Sequence, residues 1–225
     1  VRLTQGDYNE CTIYSDDPLT IARQYEDAGL TRLHLVDLDG AKSSTVINIS
    51  VLEKICKNTL LKVDFSGGIK SDYDIQSVFD AGAAFAGIGS IAQSDRETTQ
   101  KWLNRYGGDK IIVGADVREN KISIHGWKTL TDTTIDELIE WYIDKLQYLI
   151  CTDIAKDGML QGSSVDLYKR LCGRYPALNI IASGGIGSIN DVKTVSKTGV
   201  SGVIIGKAIY ENKITLNDLK CWQNE

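Results

Sequence analysis

Two stretches of this chain align to each other without a gap. SGGIKSDYDIQSVFDAGAAFAGIGS begins at Ser66, and SGGIGSINDVKTVSKTGVSGVIIGK begins at Ser183, 117 residues later. Gly67 matches Gly184, Gly68 matches Gly185, Asp74 matches Asp191, Gly82 matches Gly199 and Gly89 matches Gly206. A looser echo links HLVDLDGA, ending at Ala41, with LICTDIAKDG, ending at Gly158. A chain built of two related halves must fold so that both halves take the same conformation and bury a shared core. The 225 residues suit one α/β barrel or two small domains. No linker or low-complexity stretch divides them, so the chain reads as one domain, 1–225, with half-barrel repeats at about 1–108 and 109–225.

Short β-branched apolar runs at 32–37, 61–65, 84–89, 111–116, 148–152, 179–183 and 202–206 read as strands. Amphipathic stretches separate them. Residues 18–28 read as a helix, with Asp16 and Asp17 at its start, Pro18 in the first turn and Gly29 after its end. Ile135, Leu138, Ile139, Tyr142 and Leu146 recur at helical spacing, and 165–171 and 189–196 show the same pattern more weakly. Strands that are apolar throughout and separated by helices predict a parallel sheet covered on both faces. With two equivalent halves of about four βα units each, the expectation is a (β/α)₈ TIM barrel with a twofold half-barrel repeat. A doubly wound open sheet is the alternative, but it does not predict equivalent halves. In the second half IIVGAD precedes KISIHGW, whereas the comparable VRLTQGD opens the chain. Seven strands stand where the symmetry asks for eight, so the first strand, with the counterpart of Asp116, is expected to be missing from this sequence.

Composition narrows the function. A net charge of −5 disfavours nucleic acid or an anionic membrane as partner. Five cysteines, none close to another in sequence, give neither zinc spacing nor a disulfide framework, which fits a reducing cytoplasm. Two histidines, His34 and His125, argue against a histidine-rich metal site. No apolar run approaches a membrane span.

Each repeat ends one strand in Ser-Gly-Gly-Ile and the next in a Gly-rich turn. Glycine lets backbone approach an anion, and the N–H groups of a following helix point at it. The first candidate phosphate cradle is Gly67, Gly68, Gly89 and Ser90, and the second is Gly184, Gly185, Gly206 and Lys207. One such motif alone marks a tight turn as readily as an anion site. The matched pair favours anion sites, which in a barrel share the carboxyl-end face and suit a ligand with a phosphate at each end. Asp116 closes its strand on that face, placed either as a general acid or as a turn cap or ion-pair partner of Arg118. Asp37, Asp39, Asp153 and Asp157 lie at strand ends or just beyond them. Carboxylates with few histidines suggest acid–base chemistry, and magnesium at the same carboxylates stays open, though no EF-hand spacing appears. Thr152, at the end of what is read as the opposite strand, suits a hydrogen bond to a sugar or to backbone. Trp127, in HGWKT, suits stacking on a flat heterocycle or packing on the barrel rim. His34 within a strand reads as core. The loops at 4–12 and 117–130 are expected to be mobile without ligand.

The segments VRLTQGDY, HLVDLDGA, GGIKS, GADVRENKISIHGW, CTDIAKDGMLQG, IASGGIGS and GVIIGKAIYE together resemble the histidine biosynthesis isomerase family, the phosphoribosylformimino-5-aminoimidazole carboxamide ribotide isomerases. The likeness runs from Val1 to about Leu219. It implies an intramolecular aldose–ketose isomerase that performs an Amadori rearrangement on a small bis-phosphate, with no metal and no cofactor. The chain is expected to be a cytoplasmic monomer. By this resemblance Asp116 is the general acid that protonates the ribose ring oxygen, and Thr152 lies beside the reacting sugar. Trp127 closes over the substrate and Asp157 orders the catalytic loops. The family's general base is an Asp near the end of the first strand. SGG stands at Ser66 where GGG is frequent in the family. The alternatives are the sister cyclase subunit of imidazole glycerol phosphate synthase, against which the HGW and VDLDGA segments speak, and a non-catalytic truncated barrel with exposed strand edges. A broader specificity including phosphoribosylanthranilate is a further alternative.

Overall fold

The computed structural model describes residues 1–4 and 7–223. Its elements follow in chain order as β1 (Arg2–Thr4), β2 (Asp7–Thr12), α1 (Pro18–Asp27), β3 (Arg32–Val36), α2 (Leu38–Ser43), α3 (Ile49–Asn58), β4 (Lys62–Ser66), α4 (Asp72–Asp80), β5 (Phe85–Ile88), α5 (Ser90–Ser94) and α6 (Arg96–Tyr106). The second half continues with β6 (Ile111–Arg118), β7 (Lys121–Ile124), β8 (Thr129–Thr134), α7 (Ile135–Glu140), β9 (Tyr148–Asp153), α8 (Val165–Arg174), β10 (Asn179–Ser183), α9 (Ile189–Ser196), β11 (Gly202–Val203), α10 (Lys207–Tyr210) and α11 (Leu216–Gln223). All seven segments expected as strands pair in parallel, in the order β3-β4-β5-β6-β9-β10-β11. Sequential neighbours joined through helices are the (β/α) barrel arrangement. Strands β3 and β11 form the two edges of this sheet.

Alternate residues along each strand face opposite sides, and the two sides carry different cores. Val63, Phe65, Val113, Ala115, Leu149, Cys151, Ile180 and Ala182 pack outward into the large cluster shared with the helices. Phe85, Ile112, Ile150 and Ile181 form a separate cluster on the inner side. There Arg32 lies over the rings of Phe85 and Tyr148, 5.2 and 5.7 Å from their centroids. Its planar cation stacks on rings that are themselves in edge contact. The inner face therefore has an aromatic and aliphatic floor below the carboxyl ends of the strands.

The duplication extends to backbone detail. Helices α4 and α9 both open on a capping box, Ser71 with Asp74 and Ser188 with Asp191, so S-x-x-D starts a helix in the same way in each half. The segments β1–β2 and β7–β8 are both antiparallel hairpins. Residues 117–130, expected as a mobile loop, instead carry the end of β6, all of β7 and the start of β8. Val117, Ile122 and Ile124 are buried in the core, which holds this segment on the barrel. In the other loop, 4–12, Gln5 and Gly6 lie outside the described residues, and Asp7–Thr12 is strand. The helical periodicity from Ile135 to Leu146 also finds the right buried face but the wrong length. Helix α7 ends at Glu140, and the chain reaches Leu146 through tightened turns such as Tyr142 N–H to the Ile139 carbonyl. The Tyr142 hydroxyl donates to the Ala92 carbonyl at 2.5 Å, fixing that turn against α5.

Candidate functional site

Strand register assembles the centre of the site. Asp116 on β6 lies directly opposite Thr152 on β9, and Ser123 on β7 lies opposite Asp116 from the other side. Thr152 is thus on the neighbouring strand rather than on an opposite one, because β9 follows β6 in the sheet once the β7–β8 hairpin is set aside. Trp127 and Thr152 stand beside the Asp116 carboxyl as polar neighbours that lower its pKa. Among the described residues it forms no ion pair with Arg118, which is exposed at the end of the strand. Burial drives the Asp116 pKa up, Trp127 and Thr152 pull it down, the charge of Asp157 raises it and that of His34 lowers it, and the net result is an elevated value. A carboxyl whose pKa is raised keeps its proton to higher pH than an ordinary carboxyl, which suits a proton donor.

Trp127 reaches Asp116 through an unusual backbone. His125, Gly126 and Trp127 have φ of 56, 64 and 71° in succession. A left-handed conformation at a non-glycine residue costs about 1–2 kcal/mol. The His125 N–H donates to the Ser90 hydroxyl at 3.3 Å, and Trp127 stands beside the Asp116 carboxyl. Ser90 begins α5 just after Gly89, so one turn bridges that glycine and the end of β6.

The two cradles are conformational copies. Gly67 and Gly184 have φ of 99 and 97°, and Gly68 and Gly185 have 81 and 82°. Gly89 and Gly206 share a φ, ψ pair near −100, −101° and −113, −94°. The first two glycines of each cradle are required by backbone contact. A Cβ at Gly67 would lie 2.2 Å from the Asp37 carbonyl oxygen, one at Gly184 2.7 Å from that of Asp153, and one at Gly185 2.2 Å from that of Gly162. Gly89 differs, because a Cβ there would meet nothing within 4 Å. Gly89 and Gly206 cap α5 and α10 without a side-chain hydrogen bond, which leaves the first N–H groups of both turns uncapped and able to take an anion. The Lys207 amine is directed elsewhere. It donates to the Gly158 carbonyl at 3.1 Å and lies 3.6 Å from Glu211. Its side chain thereby braces the loop that carries Asp157, and its N–H is what it can offer an anion.

The other strand-end carboxylates are loop clamps. Asp37, 3% exposed, accepts from the backbone of Gly40, Ile47 and Asn48 and from the Asn48 amide at 2.7–2.9 Å. Asp153 accepts from Ala155 N–H and the Ser164 hydroxyl. Burial pushes the Asp37 pKa up, but the bonds from Asn48, Gly40 and Ile47 outweigh it and the carboxyl ends below its ordinary value. Its contribution is therefore present above the ordinary carboxylate pKa and lost as pH falls below it. Replacing Asp37 by Ala strands three N–H groups and is expected to cost about 3–5 kcal/mol. Denaturant titration at pH 7 checks this, and the difference from the parent should shrink as the pH is lowered through 4 towards 3.

Two features escaped the sequence reading. His34, read as core, pairs through Nδ1 with Asp64 Oδ1 at 2.5 Å. Ser123, 4% exposed, has a buried hydroxyl without a hydrogen-bond partner, on the strand position facing Asp116. Alternation along the strands would have placed His34 and Asp64 on one inner face. Among the described residues no group of three histidine, cysteine or acidic side chains is arranged to hold a metal ion.

Residues 1–215 match the family described as "Histidine biosynthesis protein". The chain is 49% identical over 220 residues to a protein of Cytophaga hutchinsonii, covering 97% of this chain and 92% of the other. It is 48% identical to one of Parabacteroides distasonis, with the same coverages, and 44% identical to one of Bacteroides fragilis, covering 99% and 93%. All three are named 1-(5-phosphoribosyl)-5-((5-phosphoribosylamino)methylideneamino)imidazole-4-carboxamide isomerase.

Proposed function

The chain belongs to the histidine biosynthesis protein family, and from that premise we propose that it is the family's isomerase, with Asp116 as its general acid. It converts the aminoaldose form of this bis-phosphate to the aminoketose by an Amadori rearrangement. The neutral Asp116 carboxyl gives its proton to the ribose ring oxygen as the C1–O bond breaks, and the ring opens to an imine. Loss of the C2 proton to a base and reprotonation then deliver the ketose. No redox partner is needed, since the oxidation at C2 is balanced within the molecule.

The observation that carries this reading is the placement of Asp116. It lies in register with Thr152, burial raises its pKa with Trp127 and Thr152 beside it, and the turn that carries Trp127 reaches Ser90 through the His125 N–H. We assign Gly67, Gly68, Gly89 and Ser90 to one phosphate and Gly184, Gly185, Gly206 and Lys207 to the other. Trp127 is assigned to the closing loop, Thr152 to the reacting sugar and Asp157 to loop order. We also take the protein as a cytoplasmic monomer that binds no nucleic acid. In keeping with this, its described cysteines are all free, and no helix among the described residues is long and apolar enough to cross a membrane.

Incubation of the purified protein with the aminoaldose, and separately with the aminoketose plus ammonia, tests the reading. The aminoaldose should give the aminoketose and the second mixture should give no imidazole. An imidazole product from the aminoketose and ammonia, with no conversion of the aminoaldose, would replace the isomerase with the cyclase, and absence of any product in both would leave a binding barrel.

A further inference from the structure

The antiparallel end of β6 sets a hydroxyl opposite the Asp116 carboxyl. Glu119 and Asn120 form the two-residue turn between β6 and β7, both with positive φ, 50 and 68°. Such a turn joins its strands in a fixed register, here Arg118 with Lys121, Val117 with Ile122 and Asp116 with Ser123. Glutamate is strained in the left-handed region, and tertiary contacts hold the turn in place. Arg170 donates to the Asn120 side-chain oxygen at 2.6 Å, and the Ile135 N–H donates to the Asn120 carbonyl at 3.0 Å. A slip of one residue would put an isoleucine opposite the carboxyl.

The register also fixes the face. Ile122 and Ile124 both enter the helix-side core, so Ser123 between them points to the other side. Asp116, between the core residues Ala115 and Val117, points the same way. Residues directly opposite on antiparallel strands have Cβ atoms about 4.5–5.5 Å apart. A serine Oγ and an aspartate Oδ turned towards each other close that gap to hydrogen-bond length, and rotation about one serine torsion makes or breaks the contact. On the other flank Thr152 stands in the same row, on β9. The carboxyl is thus set between two hydroxyl side chains in different states. Thr152 already acts on it. Ser123 is 4% exposed, and its oxygen is the one buried side-chain polar atom among the described residues with no hydrogen-bond partner. A buried hydroxyl left unpaired destabilises the fold, and the chain carries that defect directly opposite its acid.

We propose that Ser123 is a positioning residue for the proton transfer: unpartnered while Asp116 holds its proton, its hydroxyl turns onto the Asp116 carboxylate once that proton has left. Ser123 keeps its own proton throughout and gives only a hydrogen bond. Negative charge then appears on a desolvated group with a hydroxyl on each flank. A hydrogen bond made only in the charged state lowers the barrier to proton donation without tightening substrate binding. The inference rests on the assignment of Asp116 as the general acid and adds a second residue to that step.

Ser123→Ala removes the hydroxyl and little else. It is expected to lower kcat about 10-fold or more, as for loss of a hydrogen bond to a charged group. The dissociation constant of a stable bis-phosphate analogue should stay close to that of the parent. The thermal midpoint should hold or rise, since an unpaired buried hydroxyl is removed.

A double-mutant cycle separates this role from packing. In the Asp116→Asn protein no carboxylate can form, so adding Ser123→Ala should leave the residual kcat unchanged within about two-fold. An unaltered kcat in Ser123→Ala overturns the inference. So does an equal fractional loss in the parent and in Asp116→Asn, or a loss in binding instead of kcat, since each reports packing. A lower thermal midpoint in Ser123→Ala overturns it as well, by showing a hydroxyl already paired in the resting protein. Normal turnover in Asp116→Asn removes the general acid and Ser123 with it. A kcat lost in Asp116→Asn but kept in Ser123→Ala removes Ser123 alone, so the two failures are distinguishable.

Discussion

Asp116→Asn is expected to lower kcat by roughly 10²–10⁴-fold, the range that general acid catalysis supplies, while the dissociation constant of the bis-phosphate stays within a few-fold of the parent. Asparagine keeps the shape beside Thr152 and Trp127 but has no proton of useful acidity to give. The same substitution should raise the thermal midpoint at pH 7–8. Burial elevates the Asp116 pKa in the folded chain, so ionisation costs folding free energy above the unfolded-state value, and that cost grows as pH rises towards the folded value. An uncharged amide avoids it. A loss of function accompanied by a gain in stability marks a residue kept for chemistry at the expense of the fold. Single-turnover measurement of ring opening, with calorimetry on the same samples, tests both halves. Full turnover in the variant would exclude Asp116 from the proton transfer, and a lower thermal midpoint would contradict the desolvated carboxyl.

Gly89→Ala and Gly185→Ala are expected to fail in opposite ways. At Gly185 φ is 82° and a methyl group would lie 2.2 Å from the Gly162 carbonyl oxygen, so backbone must move. Left-handed strain and this contact together should destabilise the fold by about 3 kcal/mol or more. At Gly89 the methyl meets no atom within 4 Å, so the fold should tolerate it. The space it occupies is where an anion would approach the uncapped N–H groups of α5. Losing one or two charge-assisted hydrogen bonds should weaken bis-phosphate binding about 10- to 100-fold. Calorimetric titration with the substrate or a stable bis-phosphate analogue, beside denaturant unfolding, reads both quantities. Unchanged binding in Gly89→Ala would remove that turn from the anion site.

The sequence made the repeat, all seven parallel strands and the two matching glycine turns legible, because each depends on local pattern. The offset of 117 residues reappears as matching φ values at Gly67 and Gly184, and as identical capping boxes at Ser71 and Ser188. Three aspects needed coordinates. The extension of β6 into a hairpin depends on Ile122 and Ile124 finding the helix-side core, which no local propensity encodes. The division of labour among the carboxylates depends on which backbone N–H groups surround each one. Asp37 and Asp116 both end strands, yet Asp37 is saturated by four hydrogen bonds that hold it ionised, whereas Asp116 is desolvated. The pairing of His34 with Asp64 joins positions 30 residues apart. It was hidden because a histidine in a strand reads as core until the register of its neighbour is known.

Two receptors of equal backbone geometry cannot tell head from tail. A ligand phosphorylated at both ends fits such a pair in either direction, and the symmetric contacts contribute equally to both poses. Discrimination then falls to whatever breaks the symmetry, here Ser90 against Lys207 at the two helix starts and an indole and a carboxyl on the β6–β9 side. A variant that silences Trp127 should accordingly show up less as weakened capture than as a population of molecules seated backwards, tightly held and unreactive.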